Sequence, residues 1–144
     1  MSIMMDVEAL SSFLEREFPQ VNADGIAFTV TGAGPGFASM RLDPMERHLR
    51  PGGTVSGPTL FTLADVTAYF AILAQIGPVA LAVTTNLNIN FLRKPELGPI
   101  DAVAKLLKLG KRLAVVDIAM TSAMNGQLVA HATSTYSIPP RASD

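Results

Sequence analysis

Two segments of the chain carry apolar residues in patterns that predict helices. Over residues 6–18, apolar side chains recur at helical spacing, which predicts a short amphipathic helix. Over residues 58–76 the sequence is apolar nearly all round, and a helix without a polar face is stable only inside a protein. This second helix is therefore predicted to be central and buried. Residues that start or end helices flank it at both ends: Gly57, Pro58, Gly77 and Pro78.

Six further segments alternate apolar and polar residues and predict strands. Turn-forming Gly, Pro and Asn residues separate them, and the connections are short. Short connections favour antiparallel pairing. The predicted strands lie at residues 26–30, 37–42, 80–92, 100–109, 112–121 and 128–138.

The order of these elements predicts an α+β fold. One curved antiparallel sheet wrapped around the central apolar helix satisfies the order and buries the helix. A single domain over residues 1–144 is expected, because the length suits one domain and no repeat or linker interrupts it. A lone sheet of this kind leaves an open edge and apolar surface, so we expect a homodimer, and beyond it a homotetramer.

Composition narrows the possible functions. The hydrophobic fraction is 49%, the charged fraction 16% and the formal net charge −1, which argues against nucleic acid as a partner. The chain has no cysteine, which excludes disulfides and thiolate chemistry, and its two histidines are too few for a zinc site. The N-terminus lacks the pattern of a secretory signal, and no stretch of 18 or more residues has the pattern of a membrane span, since the longest candidate, residues 60–76, is short and carries Asp65. We therefore expect a cytoplasmic protein without membrane contact.

Asp65 is the main candidate for chemistry. From Thr54 to Leu92 it is the only ionisable residue besides Tyr69. A carboxylate on a buried helix costs on the order of several kcal/mol unless it is paired or used. Position alone leaves two interpretations open: a catalytic carboxylate, or a structural one held by backbone N–H groups or by an arginine across a dimer.

Four short motifs spread over residues 25–138 carry a resemblance to a known family. The segment 53–57 followed by 60–65 is similar to G-T-x-H-G-G followed by L-F-x-L-A-D. The second motif is a strand over residues 85–92 that contains Thr, Leu-Asn and Phe-Leu and is followed by Pro95. The third is a G-(R/K) turn at Gly110, and the fourth is G-x-L-V-A from Gly126 with a later Thr135. In this order and spacing they resemble the hotdog-fold acyl-CoA thioesterases of the phenylacetyl-CoA and 4-hydroxybenzoyl-CoA type.

Three positions depart from the pattern of that family. The family places Asn six residues before the His of its H-G-G motif, whereas this chain has Arg50 and Ser56. The second Gly of the motif is Pro58. The helix and Asp65 are kept, while the groups that usually polarise the thioester carbonyl are replaced.

The resemblance implies hydrolysis of acyl-CoA thioesters to a carboxylic acid and free CoA. It implies Asp65 as general base or nucleophile, facing across a dimer the Gly57 amide that polarises the carbonyl. Thr84 is predicted to lie on the polar face of the long strand, together with Asn86. It matches a Ser or Thr that helps hold the attacking water in some relatives, and the alternative is a β-branched strand residue. Ser56 either caps the helix, which is the commoner role of Ser there, or orients substrate or water.

A second group of residues is predicted to bind the substrate, with coenzyme A as part of that substrate and no separate cofactor or metal. Arg50 has three possible roles: pairing with Asp65 across a dimer, binding a substrate carboxylate, or remaining solvated. Cations at the end of the long strand and at the following hairpin match regions that contact CoA in the family. The predicted set is Arg50, Phe61, Tyr69, Asn86, Arg93, Lys94, Lys111 and Arg112.

Two classes of function remain after this reasoning. One is the acyl-CoA thioesterase, and the other is an acyl-CoA or small-ligand binding protein on the same fold with catalysis lost. The replacements Arg50, Ser56 and Pro58 favour the second class. A hotdog hydratase or dehydratase fits less well, because such enzymes pair a His with an acid on the central helix, and no His lies there.

Overall fold

A computed structural model of the chain describes residues 2–140. It contains two α-helices, α1 (Val7–Glu17) and α2 (Gly57–Ile76), and short 3₁₀ turns at Pro19–Asn22 and Glu46–His48. Its strands are β1 (Phe28–Gly34), β2 (Phe37–Leu42), β3 (Val83–Phe91), β4 (Ile100–Leu109), β5 (Leu113–Ser122) and β6 (Leu128–Ser137).

The six strands form one antiparallel sheet in the order β1-β2-β4-β5-β6-β3. Helix α2 packs on its inner face, mainly against β2, β4 and β5. The inward side chains of these strands and most of α2 make one continuous hydrophobic core. The predicted α+β class, with a sheet curved around a buried apolar helix, is confirmed.

Helix α2 is long and apolar enough to cross a membrane by length and composition, yet 72% of its apolar 18-residue window is buried inside the domain. Besides Gly57 at its start and Gln75 and Ile76 at its end, what it leaves accessible is a narrow stripe at helical spacing. This α2 stripe consists of Pro58, Phe61, Thr62 and Asp65. Helix α2 is therefore the core helix of the domain, and Asp65 lies at the last position of the α2 stripe.

The loop that leads into α2 is anchored by His48, which is buried. Its Nδ1 accepts a hydrogen bond of 2.8 Å from the backbone N–H of Met45, and its carbonyl accepts one of 2.8 Å from Ser56 N–H. The imidazole meets the Phe28 ring edge-on at 5.7 Å. Burial, and to a lesser degree the charge of Arg47, lowers the pKa of His48 below its ordinary 6.5.

Stability should therefore fall on mild acidification. Because the native state holds the His48 proton less well than the unfolded state, the unfolded chain binds more protons as the pH drops below about 6.5. The free energy of unfolding, measured by urea titration between pH 7 and pH 5, should decrease. His48→Gln should flatten this dependence, and equal slopes in wild type and His48→Gln would contradict the prediction.

Candidate active site

Asp65 is tied to the sheet by two hydroxyl donors. Its Oδ1 accepts a hydrogen bond of 2.6 Å from Thr84 Oγ1 and one of 2.7 Å from the Tyr136 hydroxyl. Tyr136 also reaches the Asp65 backbone carbonyl at 2.8 Å. Within residues 2–140, no side chain or backbone N–H donates to Oδ2. One carboxylate oxygen is thus fully engaged and the other is available.

The position of Thr84 depends on an irregularity in β3. In the register with β6, Thr84 lies opposite Tyr136 and Asn86 lies opposite Thr135, so Thr85 is an extra residue in β3. A bulge of this kind shifts the alternation of side chains by one. The sequence pattern placed Thr84 on the same face as Asn86, and this was wrong: Thr84 faces helix α2, whereas Asn86 faces away from it.

Asp65 lies in the wall of a cavity of about 440 Å³ between α1, α2 and the start of β3. Aromatic rings form much of it, since Tyr69 stacks on Tyr136 with ring centroids 6.1 Å apart and an interplanar angle of 13°. The Tyr69 hydroxyl donates to the Ala80 carbonyl at 2.9 Å. Burial, and then the charge of Glu17, raises the pKa of Tyr69 to about 12. We call this the Asp65 cavity.

Gly57 lies in a second cavity, of about 530 Å³, at the start of α2. As the first residue of the helix it has no intrahelical partner for its N–H, and that N–H donates to no residue in the described part of the chain. A Cβ at this position would lie 3.3 Å from the Phe91 ring, so glycine keeps the approach to the amide open. Three cations share the lining of this Gly57 cavity: Arg50, Arg93 and Lys94.

The two cavities do not meet within one chain. Gly57 and Asp65 are eight residues apart on one helix, which corresponds to about 12 Å along the helix axis. A single thioester carbon, with bonds of ordinary length, cannot contact both groups of the same chain. Arg50 lies with Gly57, and it forms no ion pair with Asp65 within residues 2–140.

Ser56 is the N-cap of α2. Its hydroxyl accepts from Thr59 N–H at 3.3 Å and shares a hydrogen bond of 2.8 Å with Thr59 Oγ1. Its backbone angles, φ −73° and ψ 154°, are those of a capping residue. Pro58 occupies the first turn, where no backbone donor is lost to the helix.

The remaining predicted site residues line neither cavity. Phe61 belongs to the α2 stripe and is 40% exposed. Lys111 and Arg112 form the β4–β5 turn, and this turn lies at the end of the sheet where β3 begins. Arg93 follows the other end of β3, so the two predicted groups of cations lie at opposite ends of the sheet in one chain.

Sequence reasoning missed Tyr136, which contacts Asp65, and the three residues by which the end of α1 and the following turn line the Asp65 cavity. Tyr136 lies 71 residues from Asp65 in the chain, and no local motif marks it. The wall contributed by the end of α1 and the turn after it was also unexpected, because no helical pattern shows which cavity a helix end borders. These three residues are Glu17, Phe18 and Gln20. Within residues 2–140, no three His, Asp or Glu side chains are grouped so that they could hold a metal ion.

Comparison with known proteins identifies the family of the chain. Residues 52–129 match the sequence profile of the thioesterase superfamily. Acyl-coenzyme A thioesterase 13 of Homo sapiens is 31% identical over 108 residues, which make up 74% of this chain and 76% of that protein.

Solved structures extend the likeness to nearly the whole chain. A candidate thioesterase from Silicibacter sp. TM1040 is 50% identical, with a TM-score of 0.87 and coverage of 97% of this chain and 96% of that one. Thioesterase superfamily member 2 of zebra fish is 25% identical, with a TM-score of 0.77 and coverage of 92% and 95%. The sheet and central helix are thus those of the hotdog thioesterases. The chain belongs to the thioesterase superfamily, a family of hydrolases.

The capping role of Ser56 can be tested by stability alone. Ser56→Ala should lower the free energy of unfolding by about 1 kcal/mol, because it leaves a donor of the first helical turn without its acceptor. Ser56→Asn, which keeps a capping acceptor, should restore most of the loss in the same urea titration. An alanine variant as stable as wild type would show that the observed hydrogen bond does not stabilise α2.

Proposed function

We propose that this chain hydrolyses acyl-CoA thioesters, with Asp65 as general base or nucleophile and the Gly57 amide as donor to the oxyanion. The observation that carries the proposal is the Asp65 carboxylate itself. Its Oδ1 is held by two hydroxyls while its Oδ2 is available beside a cavity large enough for an acyl group.

Either route from Asp65 accounts for the hydrolysis. As a base, Oδ2 takes a proton from water, the water oxygen bonds to the carbonyl carbon, and the C–S bond breaks as the thiolate takes up that proton. As a nucleophile, Oδ2 bonds to the carbonyl carbon and displaces CoA thiolate, and water then hydrolyses the mixed anhydride. In both routes negative charge develops on the carbonyl oxygen, and the Gly57 N–H at the positive end of the α2 dipole stabilises it.

The proposed site requires two copies of the chain. About 12 Å along α2 separates Asp65 from Gly57, whereas the reaction needs both groups at one carbon. Strand β3 is an edge of the sheet, with Thr84 near its start and Phe91 against Gly57 at its end. Antiparallel pairing of β3 with β3 of a second copy brings the Asp65 end of one copy to the Gly57 end of the other.

The same pairing of β3 strands gives a common role to the two groups of cations that lie at opposite ends of the sheet. Arg50, Arg93 and Lys94 line the Gly57 cavity, and the Lys111–Arg112 turn lies at the opposite end of the sheet. An antiparallel dimer places both groups around one composite site. A concentration of positive charge there suits the phosphates of coenzyme A, while the acyl group enters the Asp65 cavity.

Loss of the Asp65 charge should abolish turnover. Asp65→Asn should reduce kcat by about 10²- to 10⁴-fold, because an amide neither removes a proton from water nor attacks the thioester. The assay is release of CoA thiol over a panel of aliphatic and aryl acyl-CoAs. Asp24→Asn, which removes an exposed carboxylate that lines neither cavity, is the matched control and should keep wild-type activity.

The outcomes of this panel separate the candidate functions. Wild-type turnover that survives in Asp65→Asn would refute the role of Asp65. Saturable binding of acyl-CoA by the wild type without turnover would select instead the non-catalytic ligand-binding protein, which the replacements Arg50, Ser56 and Pro58 favour.

Complementation between two inactive variants tests the composite site. Gly57→Pro deletes the amide N–H, yet proline suits the first position of a helix. Asp65→Asn and Gly57→Pro should each be inactive alone. Heterodimers formed by refolding an equal mixture contain one intact site each, so about a quarter of the wild-type activity should return.

Gly57→Ala is the control for this experiment, because it keeps the N–H and adds only a Cβ near Phe91. It should retain far more activity than Gly57→Pro. No recovery of activity in the mixture, with heterodimers verified by mass, would refute the composite site.

A further inference from the structure

We propose that Tyr136 is a positioning residue for Asp65, clamping Oδ1 so that Oδ2 is the oxygen that reacts. This inference rests on the proposed role of Asp65 and extends it to a residue on the last strand of the sheet. Tyr136 itself does not need to touch the reacting atoms.

The geometry is that of a clamp rather than a single hydrogen bond. The Tyr136 hydroxyl lies 2.7 Å from Asp65 Oδ1 and 2.8 Å from the Asp65 carbonyl oxygen. A donor shared between a side chain and its own backbone restricts the side-chain torsions of Asp65. Thr84 adds a second donor to Oδ1 at 2.6 Å, so the same oxygen receives both hydroxyls.

Tyr136 is held by strand pairing on both sides and by the packing of its ring. It lies in β6, paired with Ala114 of β5 on one side and Thr84 of β3 on the other. Its side chain is buried, and its ring stacks on Tyr69, whose own hydroxyl is fixed to the Ala80 carbonyl. A threonine hydroxyl can turn towards water, whereas the phenol oxygen moves only with its packed ring.

The Tyr136 hydroxyl keeps its proton and can therefore donate to Asp65. Burial, followed by the neighbouring Asp65 charge, raises the pKa of Tyr136 far above its ordinary value. The other ionisable residues that line the Asp65 cavity are Glu17 and Tyr69, and no cation or histidine is among the residues that line it. Hydroxyl donors, and no cation of the cavity wall, thus hold the Asp65 carboxyl group in place.

This role gives Tyr136→Phe a specific signature in the pH profile of acyl-CoA hydrolysis. Loss of a hydrogen bond to a charged group should lower kcat by about 10- to 100-fold, with little change in KM. The carboxylate also loses a donor that favours its charged form, so the acidic limb of the profile should move to higher pH. The Tm, measured in parallel, reports whether the fold is kept.

Tyr69→Phe is the matched control. It removes a hydroxyl from the same stacked pair without touching Asp65, so its acidic limb should coincide with that of wild type, whatever its KM. In the Asp65→Asn background, Tyr136→Phe should lower the residual rate no further, because a positioning residue acts only through the group it positions.

A second variant keeps the test decisive if Tyr136→Phe does not fold. Tyr69→Phe leaves Tyr136 as the only tyrosine of the chain. Incorporating 3-fluorotyrosine into that variant makes the remaining hydroxyl a stronger donor with almost the same ring. The acidic limb should then move to lower pH, opposite to the effect of Tyr136→Phe.

The result that overturns the proposal differs from the one that overturns the proposed function. An acidic limb unchanged in both Tyr136 variants, with Asp65→Asn inactive, would reduce Tyr136 to a packing residue and leave the function intact. Turnover that survives Asp65→Asn would refute the function. The ¹³C shift of the Asp65 carboxyl against pH tests the clamp without any substrate, since its midpoint should be higher in Tyr136→Phe than in wild type.

Discussion

The burial of helix α2 is the constraint from which the architecture follows. A helix of twenty residues with a single charge cannot face water along its length, and the curved sheet supplies the apolar surface that encloses it. Apart from the last turn of the helix, the enclosure is incomplete along the α2 stripe, beside edge strand β3. Because the stripe begins near the first turn and ends at Asp65, the helix presents an unpartnered amide at one end of the accessible side and a carboxylate at the other.

The carboxylate is compatible with this core because the sheet supplies donors to it. Thr84 from β3 and Tyr136 from β6 both reach Oδ1, so no cation is needed beside Asp65. The same hydrogen bonds connect the start of β3 to the helix. The bulge at Thr85 is part of this arrangement, since regular alternation through Thr85 would turn Thr84 to the same face as Asn86, away from α2. The burial of Asp65 and its proposed chemistry therefore depend on the same few contacts.

Much of the fold and part of the site were predictable from local patterns. Helical spacing and turn residues located both helices and all six strands, although β3 begins at Val83 instead of residue 80, because residues 80 and 81 form a turn. Asp65 stood out because charge is rare in that part of the chain, and the family motifs pointed to Gly57. The predicted face of Thr84 was wrong, because a regular two-residue alternation of side chains cannot reveal a bulge. Tyr136 was missed because its partner is 71 residues away.

The amino-acid sequence alone determined that an apolar helix carrying one acid must be enclosed by a sheet, since hydrophobic burial depends on the pattern of side chains and hardly on their distant partners. Only the tertiary structure decided which hydroxyls hold that acid, which of its oxygens is available and which cations share a cavity. Those facts depend on strand register and on one inserted residue, and register is set by the packing of the whole sheet. The eight-residue spacing of Gly57 and Asp65 on α2 could be read from the sequence, but only the structure shows that the two residues line separate cavities.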